Sequence, residues 1–94
     1  MPFINTKINT KLTKEQRDTL KTKLGQAITT IPGKSEAWLM VAFEENIPLY
    51  FKGSDEGTIA FIEVKVFGKA SPSIFNTLTG KICSIYSEVL GMDP

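Results

Sequence analysis

Histidine is missing altogether from this 94-residue chain, and cysteine occurs once, at Cys83. Without histidine there is no Ser-His-Asp or Cys-His arrangement, and the commonest zinc ligand is gone. A lone cysteine forms neither an intrachain disulfide nor a Cys-x-x-Cys redox pair. Cys83 falls within an apolar helical pattern, so it reads as buried filler. No apolar run approaches the length of a membrane span, and the N-terminus lacks the basic-then-apolar pattern of a signal peptide. The expectation is a cytoplasmic protein without membrane contact. Net charge is +1, so nothing global recruits nucleic acid. No glycine-rich phosphate loop of either standard spacing appears, and neither a metal nor a cofactor is expected. An enzyme built from this chain takes its acid–base group from an amine, a carboxylate or a tyrosine.

What is present reads as one folded domain over residues 1–94. Hydrophobic and charged residues, at 41% and 22%, leave enough apolar side chains for a single core. Residues 2–9 alternate, with Ile4, Thr6 and Ile8 on one face of a strand and Phe3, Asn5 and Lys7 on the other. Thr13-Lys14-Glu15-Gln16 is a capping-box signature, and Leu20, Leu24, Ala27, Ile28 and Ile31 then mark an amphipathic helix closed by Pro32-Gly33. Lys11, Lys14, Arg17 and Lys21 recur at near-helical spacing among Glu15 and Asp18, the pattern of a solvated face. Residues 37–43 and 58–67 are apolar on both faces and predict buried strands. The turn-rich stretch between them carries Glu44–Glu45 and Asp55–Glu56, read as solvated loop carboxylates. Ser71 and Pro72 open a second helix, whose stripe runs Ile74, Phe75, Leu78, Ile82, Ile85, Tyr86, Val89, and Gly91 stops it.

The order is strand–helix–strand, then strand–helix: one unit used twice, the second copy short of its last strand. Two helices cover only one face of such a sheet. The apolar residues on its other face therefore predict an oligomer.

Pro2 now gains weight. It opens the first strand, Gly33-Lys34 follows the first helix, and Trp38 comes four residues after that lysine. A Gly-Ser-Asp-Glu turn precedes the third strand, and Val66-Phe67-Gly68-Lys69 leads to the second helix. In joint order and spacing this chain resembles the macrophage migration inhibitory factor family of the tautomerase superfamily, over essentially its whole length. The resemblance implies an α/β (α+β) fold of two strand–helix–strand units: a four-stranded sheet, its last strand absent here, with two antiparallel helices on one face. It also implies a homotrimer with active sites at subunit boundaries, and keto–enol tautomerisation of small aromatic 2-oxo acids such as phenylpyruvate.

In that setting the catalytic base is the amine of Pro2, free once Met1 is removed. An α-amino group starts near ~8, and desolvation beside Phe3 together with neighbouring cations favours its neutral form. Lys34 matches the family lysine that pairs with the substrate carboxylate. Phe67 matches the position whose backbone N–H meets the substrate, and Trp38 an aromatic at the pocket rim. Each has a structural reading too: Lys34 as a helix C-terminal lysine, Trp38 and Phe67 as oligomer core. Two departures stand out. The Cys-x-x-Cys of vertebrate members falls at residues 57–61, where no cysteine remains, so thiol redox activity is not expected. The chain also stops at Asp93-Pro94, before the family's final strand and tail, which reads as a C-terminally incomplete domain. The resemblance leaves a second function open, a non-catalytic cytokine-like protein that engages a protein receptor, and with it secretion without a signal peptide.

Overall fold

The computed structural model describes residues 2–66 and 71–92. Its first strand, β1 (Phe3–Ile8), follows the alternation in the sequence: Ile4, Thr6 and Ile8 are fully buried, while Phe3, Asn5 and Lys7 are half-buried on the opposite face. Helix α1 (Lys14–Ala27) starts on the expected capping box. The Gln16 N–H donates to Thr13 Oγ1 at 3.0 Å, and the Thr13 N–H donates to Gln16 Oε1 at 2.9 Å. The helix tightens into a 3-10 turn at Ile28–Thr30 before Pro32 ends the run. Leu20, Leu24, Ala27, Ile28 and Ile31 are all buried, each worth a share of the ~1.5–3 kcal/mol that burying a large apolar side chain supplies.

Strand β2 (Met40–Glu44) begins three residues later than its apolar run suggests. Residues Glu36–Trp38 instead form a 3-10 turn, in which the Trp38 N–H donates to Ser35 O at 3.2 Å and the Leu39 N–H to Glu36 O at 3.1 Å. The reason lies in the partner strand. β2 runs parallel to β1, and the ladder starts where the Met40 N–H donates to Pro2 O at 2.9 Å. Strand β3 (Ala60–Lys65) is likewise shorter than the predicted 58–67 and pairs antiparallel to β1, from Phe3 opposite Lys65 to Ile8 opposite Ala60. Asn9 sets its start: Asn9 N–H donates to Ile59 O, Ile59 N–H to Asn9 Oδ1, and Asn9 Nδ2 to Gly57 O, all within 2.9–3.1 Å. Between the strands Lys52 and Gly53 both take positive φ, 53° and 77°, the pair of left-handed positions that a two-residue primed turn requires.

Helix α2 (Pro72–Leu90) is capped by Ser71, whose Oγ accepts from the Ile74 N–H at 3.3 Å, and it closes on Gly91 at φ 66°. The sheet order is β2-β1-β3, so the N-terminal strand is central. Both helices lie on the face of Ile4, Thr6 and Ile8, and they run antiparallel. Lys23 near one end of their contact meets Glu88 at 3.6 Å, while Thr30 at the other accepts from Lys81 Nζ at 2.8 Å. The α+β architecture is as expected, with three strands and two helices among the described residues.

Three local readings change. Cys83 is exposed, because the core stripe of α2 is Leu78, Ile82 and Tyr86 at steps of four, and residue 83 turns about 100° away from it. Phe75, one position off that stripe, is 36% exposed. The open face of the sheet is mixed rather than uniformly apolar. Met40 and Phe61 are more than half exposed, yet Lys7 meets Glu63 at 3.5 Å and Asn5 Nδ2 donates to Glu44 Oε2 at 2.7 Å beside them. The two strands are therefore amphipathic in place, not buried on both sides.

The loop carboxylate Glu45 also has a structural role. Its Oε1 accepts from the Leu12 N–H at 2.5 Å, and its Oε2 from Arg17 at 3.2 Å, while Arg17 also donates to Leu12 O at 3.0 Å. Arg17 thus leaves the solvated stripe and pins the β1–α1 link to the end of β2. Lys14 stays outside, paired with Asp18 at 2.8 Å, and that hydrogen bond holds the Asp18 carboxyl below its usual range.

Candidate active site

Pro2 sits at the start of the central strand with its ring fully buried. Its carbonyl accepts the first hydrogen bond of β2, which fixes Pro2 beside Met40. Because β1 and β2 are parallel, the start of β2 lies at the same end of the sheet. Because β3 is antiparallel, its finish at Lys65, opposite Phe3, lies there too. Topology alone therefore gathers Pro2, the segment leading into Met40 and the segment leaving Lys65.

Lys34 and Trp38 belong to the first of those segments. Lys34 is half-buried, and its N–H donates to Ile31 O at 3.1 Å, closing the turn around Pro32-Gly33, where Gly33 takes φ 82°. Trp38 ends the 3-10 turn with its side chain 66% exposed, two residues before the strand. An indole held open to solvent near Pro2 is available to a planar ligand. Phe67 lies outside the described residues.

One contact beside the Trp38 turn gave little sign of itself in the sequence. Gly25 lies inside α1, where glycine costs about 1 kcal/mol relative to alanine. A side chain there would collide with Glu36, the first residue of the Trp38 turn. The signal was an isolated glycine interrupting a helical pattern. Glu36, Lys21, Leu39 and Val41 line a groove of about 290 Å³ on that side of the molecule.

Behind the site, Thr6 Oγ1 and the Tyr86 hydroxyl share a buried hydrogen bond that joins β1 to α2. Burial pushes the Tyr86 hydroxyl above its ordinary value, and the Thr6 contact opposes this. Among the described residues, no three histidine, cysteine, aspartate or glutamate side chains converge as metal ligands, and no helix is long and apolar enough to cross a membrane.

A mixed sheet under two antiparallel helices, with a buried proline opening its central strand, defines an α+β domain with a candidate site at the Pro2 end of the sheet. Comparison with known proteins narrows that class. The family model for macrophage migration inhibitory factor matches residues 1–94, and the chain belongs to that family. Among solved structures, MIF2 of Leishmania major is similar at 28% identity and TM-score 0.87, covering 98% of this chain and 78% of that one. The macrophage migration inhibitory factor of Toxoplasma gondii is similar at 22% identity and TM-score 0.85, over 96% and 78%. A fused 4-OT described as a symmetric trimer shares the fold at 20% identity and TM-score 0.83, over 97% and 76%. No curated protein matches the chain in sequence.

Proposed function

We propose that this protein is a keto–enol tautomerase of small aromatic 2-oxo acids of the phenylpyruvate type, with the Pro2 amine as general base after Met1 is removed. The observation that carries the reading is the place of Pro2: buried, at the start of the central strand, beside the segment that bears Lys34 and Trp38. A desolvated secondary amine is neutral more readily than one in water, which brings its pKa towards working pH. In a chain without histidine it is the best-placed group for the task.

The reaction balances on that one group. The Pro2 nitrogen takes a proton from the carbon beside the ketone, and the C–H pair becomes the enol double bond. The carbonyl pair moves to oxygen, which takes the proton back from the Pro2 nitrogen, and the reverse path restores the ketone. Lys34 supplies the cation for the substrate carboxylate, the Phe67 backbone N–H meets the substrate, and Trp38 stacks on its aryl ring.

We take the working unit to be a homotrimer. The open sheet face supports this, because it leaves Met40 and Phe61 exposed beside a buried Asn5 Oδ1 that has no hydrogen-bond donor within the described chain. Enol-phenylpyruvate turnover tests the mechanism, with intact mass reporting loss of Met1. Pro2→Ala is expected to lower kcat/KM by about 10²-fold or more, the range of a lost general base. Equal rates in parent and variant would refute the assignment.

A further inference from the structure

The last turn of α1 holds a residue that the helix itself disfavours. Gly25 has no positive φ and lies two residues inside the end of the helix, so neither a turn nor a left-handed cap accounts for it. What fills the space of the missing side chain is Glu36. A Cβ at position 25 would stand 2.2 Å from Glu36 Oε2, 2.6 Å from Cδ and 2.7 Å from Cγ. Three successive atoms occupy the notch, so one side of the Glu36 side chain lies against the helix while the residue stays open to solvent on the other. Gly25 is buried, while Lys21 and Gln26 around it are exposed. Lys21 lines the same groove as Glu36.

Glu36 also starts the 3-10 turn that ends at Trp38, its carbonyl accepting from Leu39 just before β2 begins. Lys34 lies two residues before it. The notch is thus a point where helix α1 meets the segment that carries two of the candidate substrate-binding residues, Lys34 and Trp38. We infer that Gly25 and Glu36 form a latch that positions the Lys34–Trp38 segment at the Pro2 end of the sheet. Its catalytic consequence rests on the tautomerase reading above, and its structural consequence does not. Both are positioning residues, acting through Lys34 and Trp38.

Trp38 is the only tryptophan, so its fluorescence reports the turn without reference to activity. Gly25→Ala fills the notch and evicts Glu36, and Glu36→Ala empties the notch from the other side. Each is expected to lower Trp38 anisotropy, increase acrylamide quenching and raise KM for enol-phenylpyruvate about threefold, with kcat and its pH profile unchanged. Gly25→Ala is expected to keep or raise Tm, because alanine favours the helix. The double variant is expected to do no more than either single one, since the second change removes a contact already lost. Unchanged Trp38 fluorescence in both single variants, or effects that add in the double, would overturn the latch. A fluorescence response with KM unmoved would overturn its link to substrate. If Pro2→Ala keeps full activity, the tautomerase reading fails, and the fluorescence arms still decide the latch.

Discussion

Removing one oxygen atom, by Tyr86→Phe, tests how the core holds β1 in place. Thr6 is 0% exposed and Tyr86 3%, and their hydroxyls satisfy each other in a cluster made otherwise of Ile, Leu and Ala. Phenylalanine keeps the ring packing but strands the Thr6 hydroxyl where water does not reach. The cost is about 1–3 kcal/mol, the penalty for leaving a buried polar group unmade. For a domain of this size that lowers Tm by roughly 5–15 °C. Thr6→Val should cost a similar amount from the other side. The double variant, with both ends apolar, should recover most of the loss and show a coupling of about 1–2 kcal/mol. The assay is thermal unfolding followed by circular dichroism at one fixed protein concentration, because assembly shifts apparent stability. Tyr86→Phe melting within a degree or two of the parent, or losses that simply add, would refute the reasoning. A pH series gives the second arm. Burial raises the folded Tyr86 pKa above its ordinary value near 10, so its contribution is complete below about pH 10. That contribution falls as pH climbs from the unfolded value through the folded one, and Tyr86→Phe should remove this part of the alkaline decline.

Three further outcomes are expected. Lys34→Gln should raise KM for enol-phenylpyruvate by about tenfold, the value of a charge-assisted contact, with a smaller change in kcat; an unchanged KM would free the carboxylate from Lys34. Glu45→Gln should lower stability by about 1 kcal/mol in urea unfolding, because it weakens contacts to both the Leu12 N–H and Arg17, and Arg17→Ala should cost little more on top of it. Gly91→Ala should cost about 1 kcal/mol, since the αL cap at φ 66° suits only glycine without strain; an unchanged urea midpoint would mean the cap is dispensable.

Patterns confined to a few residues were legible before the structure. The alternation of β1, the Thr13 capping box, the Ser71-Pro72 start and the Gly91 stop all depend on neighbours in sequence, and all appear as read. Strand limits depended on partners instead. Trp38 and Leu39 look like strand residues, but β1 offers no ladder position before Met40, so they fold into a turn. Arg17 and Glu45 looked solvated because their mutual contact joins a helix to the end of a strand 28 residues on. Cys83 was misplaced by one helical step, enough to turn it from core to surface. Pro2, Lys34 and Trp38 became candidates through their order along the chain. That the start of β1 and the approach to β2 share one end of the sheet follows from parallel pairing, which periodicity does not reveal.

The central position of β1 also bears on the order of events during synthesis. Strand β1 pairs with Met40 on one side and Lys65 on the other, so it has no hydrogen-bonding neighbour until much of the chain has been made. Through that interval Pro2 has no sheet to bury it. Once the sheet closes, Pro2 is buried. Under the tautomerase reading proposed above, removal of Met1 is expected to compete with the folding that later buries Pro2. Conditions that slow methionine excision relative to chain growth are then expected to leave a folded fraction that keeps Met1 and has no turnover, which intact mass and activity measured together would reveal.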